Sequence, residues 1–256
     1  MTKRKLGTIL EFAVPVLLVL GWWAISVTSS SFYLTPLDVV LVEFKNNWFS
    51  SRFVTDVLPS LWRLFAGFGL SCLIGVAVGV IAGSVWWIDK LLEPVAAFFR
   101  AVPAPTILPF AVVLFGIGDG MKIFLIVFVC VWPIMLNTTQ GFASVDRTMI
   151  ETARVFRISR RRTVLRVMLP SALPRIFAGM RTALGLAVIT MVISELIGST
   201  NGIGFFVLQS QRSFALADMW SGIILLGIVG YVLNALFEFI ERRVIGWQVE
   251  SKSAAA

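Results

Sequence analysis

The sequence predicts an all-α polytopic membrane protein of about six transmembrane helices, and three observations carry that expectation. Hydrophobic residues make up 58% of the 256 positions and charged ones only 14%, with a mean hydropathy of +0.90; a soluble chain of this length needs far more polar surface. The apolar residues gather in runs close to the roughly 20 residues a helix needs to cross a bilayer. The net charge of +8 is concentrated: nine arginines fall between Arg147 and Arg181, and both ends are basic. Cytoplasmic loops carry that bias under the positive-inside rule, which argues against a nucleic-acid partner.

The first run, about Ile9 to Val27, follows Lys3, Arg4 and Lys5. A secretory signal begins the same way, but this run is long enough to span, and no small-x-small cleavage site follows it, so a retained helix is the preferred reading. Residues 28–58, with Pro36, Asp38, Glu43, Lys45 and Asp56, read as an external loop holding a short amphipathic helix. Trp48 and Phe49 suit the interfacial aromatic belt. The second span, about Leu61 to Gly83, carries Gly67, Gly69, Gly75, Gly79 and Gly83, whose spacing permits close helix approach. A short internal loop with Asp89, Lys90 and Glu93 comes next.

The third span, about Pro94 to Phe115, contains Pro103, Pro105 and Pro109, which predicts a kinked or broken helix. Broken helices at membrane depth are tolerated where protein or a water cavity satisfies the freed carbonyls, and they often line transport pathways. These prolines are therefore pathway-lining candidates, with a simple packing kink as the competing reading. Gly116 to Gly120 form an external turn. The fourth span runs from about Met121 to Gly141, the fifth from about Arg175 to Ile197, and the sixth from about Met219 to Ile240. Glu195, an ionisable group at the external end of the fifth, joins the pathway candidates; contact with the interface and structural hydrogen bonding are the alternatives. Between the last two spans, Gly198 to Asp218 read as an external loop dipping back toward the membrane. On this topology only Lys45, Arg52, Arg63, Lys122 and Arg212 of the 22 Lys and Arg lie outside, which puts both termini in the cytoplasm.

Enzyme chemistry finds no support. The chain has no histidine, the commonest base and metal ligand. Cys72 and Cys130 lie in apolar runs without CxxC spacing and read as packing residues. No GxxxxGK[ST] loop is present, so no ATP site is expected in this chain, and no metal site either.

One polar, arginine-loaded stretch, 146–170, interrupts the apolar sequence. Met149, Ala153 and Phe156 recur at helical spacing and share one face. Asp146 stands where an N-cap is wanted, Ser159 can cap a second short helix, Glu151 and Arg154 can pair, and Pro170 is expected to stop that second helix. The stretch thus reads as helix, turn, helix outside the bilayer, with an apolar face needing cover; a groove on another protein is one way to supply it. Arg160, Arg161 and Arg162 sit in a first helical turn, where positive charge opposes the helix dipole. Anionic lipid headgroups are one compensation, and salt bridges to a partner protein are another.

The spacing Glu151–x–Ala153 followed by Val167–x–Leu169–Pro170 resembles the cytoplasmic "EAA" signature of importer-type ABC-transporter permeases. Pro103 and Pro109 with Phe115–Gly116–Ile117–Gly118, Leu173–Pro174 with Gly179–Met180–Arg181, Ser194–Glu195–Leu196 and Gly202–Ile203–Gly204 are similar to the subfamily importing nitrate, taurine, alkanesulfonates and thiamine-precursor pyrimidines. The resemblance covers about Pro59 to Trp247. It implies the type I importer permease fold, divided into an N-terminal helix and external loop (1–58), a core permease domain (59–247) and a cytoplasmic tail (248–256). It also implies that Met149, Glu151, Thr152, Ala153, Phe156 and Arg157 dock a separate ATPase, which binds the ATP and magnesium. Two ATPase subunits, a second permease copy and an external solute-binding protein are the implied partners, in a bacterial-type inner membrane. Thr152 departs from the usual alanine, and Arg157 stands where the family has glycine. Arginine finishes that turn readily only if the backbone there is not left-handed. The expected function is import of a small sulfonate, taurine or nitrate. A thiamine-precursor pyrimidine is the alternative cargo and ion-coupled secondary transport the alternative class.

Overall fold

The computed structural model describes residues 13, 14, 17, 19–26 and 33–253, with side chains as far as 246. Of the expected first span, 9–27, residues 13, 14, 17 and 19–26 are described and helical, and the others lie outside the described residues. The remainder is a set of helices: α1 (Leu37–Trp48), α2 (Phe53–Ser84), α3 (Trp86–Ala101), α4 (Ala104–Phe115), α5 (Asp119–Ala143), α6 (Arg147–Val155), α7 (Arg160–Gly198), α8 (Ile203–Arg212) and α9 (Leu216–Ser253). Among the described residues, α2, α5, α7 and α9 are long and apolar enough to cross a membrane.

The third expected span takes a different form. α3 begins at Trp86 and absorbs the supposed internal loop, and α3 and α4 meet at 98°. Pro103 is the N-cap of α4 in an extended conformation, with Pro105 in its first turn and Pro109 inside it. Three rings that cannot donate to a helical ladder concentrate the break at the first of them.

The glycines of α2 set the central packing. A Cβ at Gly67, Gly75, Gly79 or Gly83 would stand 2.7, 2.9, 2.5 or 2.5 Å from the Cβ of Ile126, Ile134, Thr138 or Phe142 of α5. Each pair is separated by the same 59 positions (67 to 126, 83 to 142), so the two helices run parallel and in register. Small residues let the backbones approach where dispersion and close packing, rather than hydrophobic exclusion, hold helices together. Gly69 takes no part, having nothing within 4 Å. α7 closes against α5 at Gly179, whose Cβ would reach the Asn137 side chain at 2.7 Å and the Pro133 carbonyl at 2.9 Å. The core between these helices contains Leu64, Ile126, Cys130, Ile134, Ala187 and Met191. Both cysteines are free, and the Cys130 thiol donates to the Ala183 carbonyl at 3.2 Å.

Pro59 and Pro170 sit in helices that continue past them for the same local reason. Pro170 was expected to stop the second short helix, yet α7 continues through it to Gly198. The reason is a π turn, Val164–Met168, immediately before Leu169–Pro170. α2 repeats the device, with a π turn at Phe53–Val57 before Leu58–Pro59. A proline ring crowds the carbonyl four residues back, and in both cases that carbonyl lies in the wider π winding.

At the end of the bundle opposite residues 146–170, α1 is the expected short helix. Asn47 donates to Asp218 at 2.7 Å and the Trp48 indole to the Ser221 carbonyl at 3.3 Å. Trp48 is therefore not an interfacial anchor: it is buried edge-on against Phe206, whereas Phe49 is exposed. The dipping loop contains α8, seated against α7 and α9 through Ile203 and Phe206.

Candidate functional site

The polar stretch forms α6, a turn and the start of α7. Asp146 caps α6 as expected, accepting the Thr148 N–H at 2.8 Å, and the Thr152 hydroxyl donates back to the Thr148 carbonyl at 2.7 Å. Ser159 stands at the N-cap of α7, but its side chain makes no capping bond. Glu151 and Arg154 are not ion-paired; both are exposed, and Arg154 turns toward the body of the protein.

The helix end is a Schellman motif. Ile158 N–H donates to the Ala153 carbonyl at 2.9 Å and Arg157 N–H to the Arg154 carbonyl at 3.0 Å, a pattern that requires a left-handed residue at Arg157. Its φ is +53°. The condition for an easy turn, a backbone that is not left-handed, is not met: Arg157 holds the glycine-type backbone at a cost of about 1–2 kcal/mol.

The expected common face of Met149, Ala153 and Phe156 splits in two. Ala153 is buried against the chain, whereas Met149, Val155 and Phe156 are 50%, 80% and 75% exposed. Glu151 and Thr152 are exposed beside them. The result is a short helix, fixed at both ends, presenting an apolar outward face ringed by polar residues.

A second feature lies at the α3–α4 break. A groove of about 360 Å³ runs between the break, α5 and α7, and its wall includes Phe99, Pro103, Phe128, Trp132, Ile189 and Thr190. Phe99 stacks on Trp132 with ring centroids 5.3 Å apart, and Phe128 meets Trp132 edge-on. The buried Trp132 indole nitrogen has no hydrogen-bond partner. Pro103 lines this groove; Pro105 and Pro109 lie on the exposed side of α4.

Glu195 does not line this groove, and of its alternative readings the structure does not show contact with the interface. It is 0% exposed. Its carboxylate accepts from Arg63 Nη1 at 2.7 Å, the Ser60 hydroxyl at 2.7 and 2.9 Å, and the Gly204 N–H at 3.0 Å. Arg63, itself 2% exposed, also reaches Asp119 at 2.7 Å and the Asn201 side chain at 2.5 Å. Gly202, at φ +119°, passes so close that a Cβ would stand 2.5 Å from the Glu195 carboxyl carbon. The structural hydrogen-bonding reading of Glu195 is the one this geometry shows. Sequence reasoning missed Ser60, Arg63, Asp119 and Asn201 as its partners. A cation three residues inside an apolar run was the available signal for Arg63.

Comparison with known proteins agrees with this architecture. Residues 75–246 match the family described as the binding-protein-dependent transport system inner membrane component. Over 96% of the chain and 90% of the relative, the protein is 28% identical to SsuC of Bacillus subtilis (strain 168), described as an aliphatic sulfonates transport permease. It is 29% identical to the nitrate import permease NrtB of Leptolyngbya laminosa, over 95% of the chain and 88% of that protein. Against the bicarbonate transport permease CmpB of Synechococcus elongatus the identity is 32%, over 74% and 69% of the two chains. In fold it is similar to a chain of the inward-facing MetNI methionine ABC transporter, with a TM-score of 0.68 at 22% identity, covering 75% of this chain and 96% of that one. With parallel glycine-packed spans, a broken third span and an exposed capped helix between the fourth and fifth, the chain belongs to the inner-membrane component family of binding-protein-dependent transport systems, the multi-pass permeases of ABC importers.

Proposed function

We propose that this permease forms the translocation pathway for a small oxyanion of the sulfonate, taurine or nitrate class, with both termini cytoplasmic. An external binding protein delivers the solute, and two ATPase subunits, which bind the ATP and magnesium, drive its passage. The carrying observation is the outward face of α6. Its exposed Met149, Val155 and Phe156 have no cover among the described residues, and an apolar helix face of that size suits a groove on a partner. Glu151, Thr152 and Arg157 surround that face, while Ala153 supports it from behind. α6 is joined by a short turn to α7, so a push on it passes directly into a spanning helix. Two copies facing each other through their α3–α4 breaks would place the Pro103 grooves at a shared axis, with Pro105 and Pro109 facing the same space, and symmetric pairing is the default for such a chain.

The substrate class rests on the relatives, whose named cargoes are sulfonates, nitrate and bicarbonate. All present an anionic, oxygen-rich head. A pyrimidine cargo draws no support from them, and ion coupling draws none from Glu195, which is already paired with Arg63.

Purification from native membranes tests the reading. An ATPase in equal copy number should accompany the permease, and Glu151→Arg should leave membrane insertion intact while abolishing both the association and uptake. Normal uptake by that variant would overturn the docking role. Solute movement in liposomes without ATP would overturn the importer mechanism.

A further inference from the structure

Behind α6, on the side away from its exposed face, lies a crevice of about 490 Å³ bounded by α6, the first turns of α7 and the end of α2. Arg154 and Arg160 both line it, together with Ser84, Thr163, Ile150 and Ile158. Arg160 donates to the Ser84 carbonyl at 3.1 Å. Neither arginine has a carboxylate within ion-pair distance among the described residues. The Ser84 hydroxyl is buried and makes no hydrogen bond, which native proteins rarely leave unexplained.

Two guanidinium groups without a carboxylate partner favour an oxyanion. The apolar part of the wall and the position at the ends of two spanning helices favour one that brings a hydrocarbon tail. We propose that this crevice is a binding site for the phosphate of an anionic phospholipid headgroup, held by Arg154 and Arg160. The bound headgroup would brace α6 against the ends of α2 and α7. It would also explain why Arg160 is tolerated where the helix dipole disfavours a cation. The site depends only on the described geometry and does not require the proposed cargo or ATPase contact.

The test uses the full-length permease, delipidated in detergent and titrated with phosphatidylglycerol, phosphatidylcholine or inorganic phosphate, with binding followed by native mass spectrometry and thermal shift. Phosphatidylglycerol should bind saturably and raise the midpoint, and phosphatidylcholine should not. Replacing both site arginines, Arg154→Gln with Arg160→Gln, should weaken binding roughly 30-fold, from the usual worth of two headgroup-level cations. Arg161→Gln with Arg162→Gln removes equal charge outside the crevice and should change binding less than about threefold, below the worth of one such cation. Ser84→Phe fills the space without altering charge and should also abolish binding. Competition by millimolar phosphate would identify a soluble phosphate as the ligand of this site in place of the lipid. Equal losses from both arginine pairs, or unchanged binding in Ser84→Phe, would overturn the site and leave only a diffuse basic surface.

Discussion

Arg63 Nη1 stands 2.7 Å from Glu195 Oε1, and both side chains are sealed from solvent. The pair joins α2 to α7 across 132 positions of sequence. Through Asp119 and Asn201 it also gathers the start of α5 and the turn before α8. Removing one member strands the other. Arg63→Met should therefore cost about 3–5 kcal/mol, read as a lowered thermal midpoint in detergent. Combining it with Glu195→Gln should recover a large part of the loss, because two neutral groups no longer carry an uncompensated charge. A double variant as unstable as the single one would show that the shape of the site matters more than its charge.

The glycine ladder gives a sharper contrast. Gly79→Ala places a methyl 2.5 Å from Thr138 Cβ and 2.7 Å from the Met135 carbonyl, so α2 and α5 must separate, at a cost of about 1–3 kcal/mol. Gly69→Ala, on the same helix with open space beside it, should be neutral or stabilising by up to about 1 kcal/mol through helix propensity. Thermal unfolding of the two variants side by side decides the matter.

Arg157 offers a gain. Arg157→Gly removes the side-chain penalty at φ +53° and should stabilise the end of α6 by about 1 kcal/mol. Hydrogen exchange at the Ile158 amide, which is bonded to the Ala153 carbonyl, should slow. Arg157→Val, branched at Cβ, should quicken it.

Phe156 is 75% exposed, so Phe156→Ala should change the stability of the isolated permease by less than about 0.5 kcal/mol. Uptake should nevertheless fall severely. A loss of uptake accompanied by full ATPase recovery on purification would place the role of Phe156 after docking.

Much of this was legible in the sequence because local rules decided it. The Asp146 cap, the glycine contacts of α2, the break at Pro103 and the short helix before Trp48 all follow from residue type and spacing. Three features were decided by tertiary contacts between distant segments. Trp48 reads as a surface aromatic until α8 folds back and covers it with Phe206. Glu195 reads as a lone carboxylate until Arg63 arrives from a helix far away in sequence. The direction of Ala153 depends on which side of α6 meets the start of α7, and the 3.6-residue period alone leaves that undetermined. Pro170 failed for a local reason of another kind: the π turn that accommodates it has no strong sequence signature.

α7 is one helix of 39 residues from Arg160 to Gly198, about 58 Å long at the usual rise. Its far end is pinned at Glu195 by Arg63, Ser60 and Gly204, and its near end carries α6 across a short turn. It is therefore a lever whose fulcrum is the buried carboxylate. A tilt of roughly 5° about that point sweeps the near end through about 5 Å at the usual helical rise. A small rotation at the pinned end thus corresponds to a full side-chain displacement at the end that carries α6.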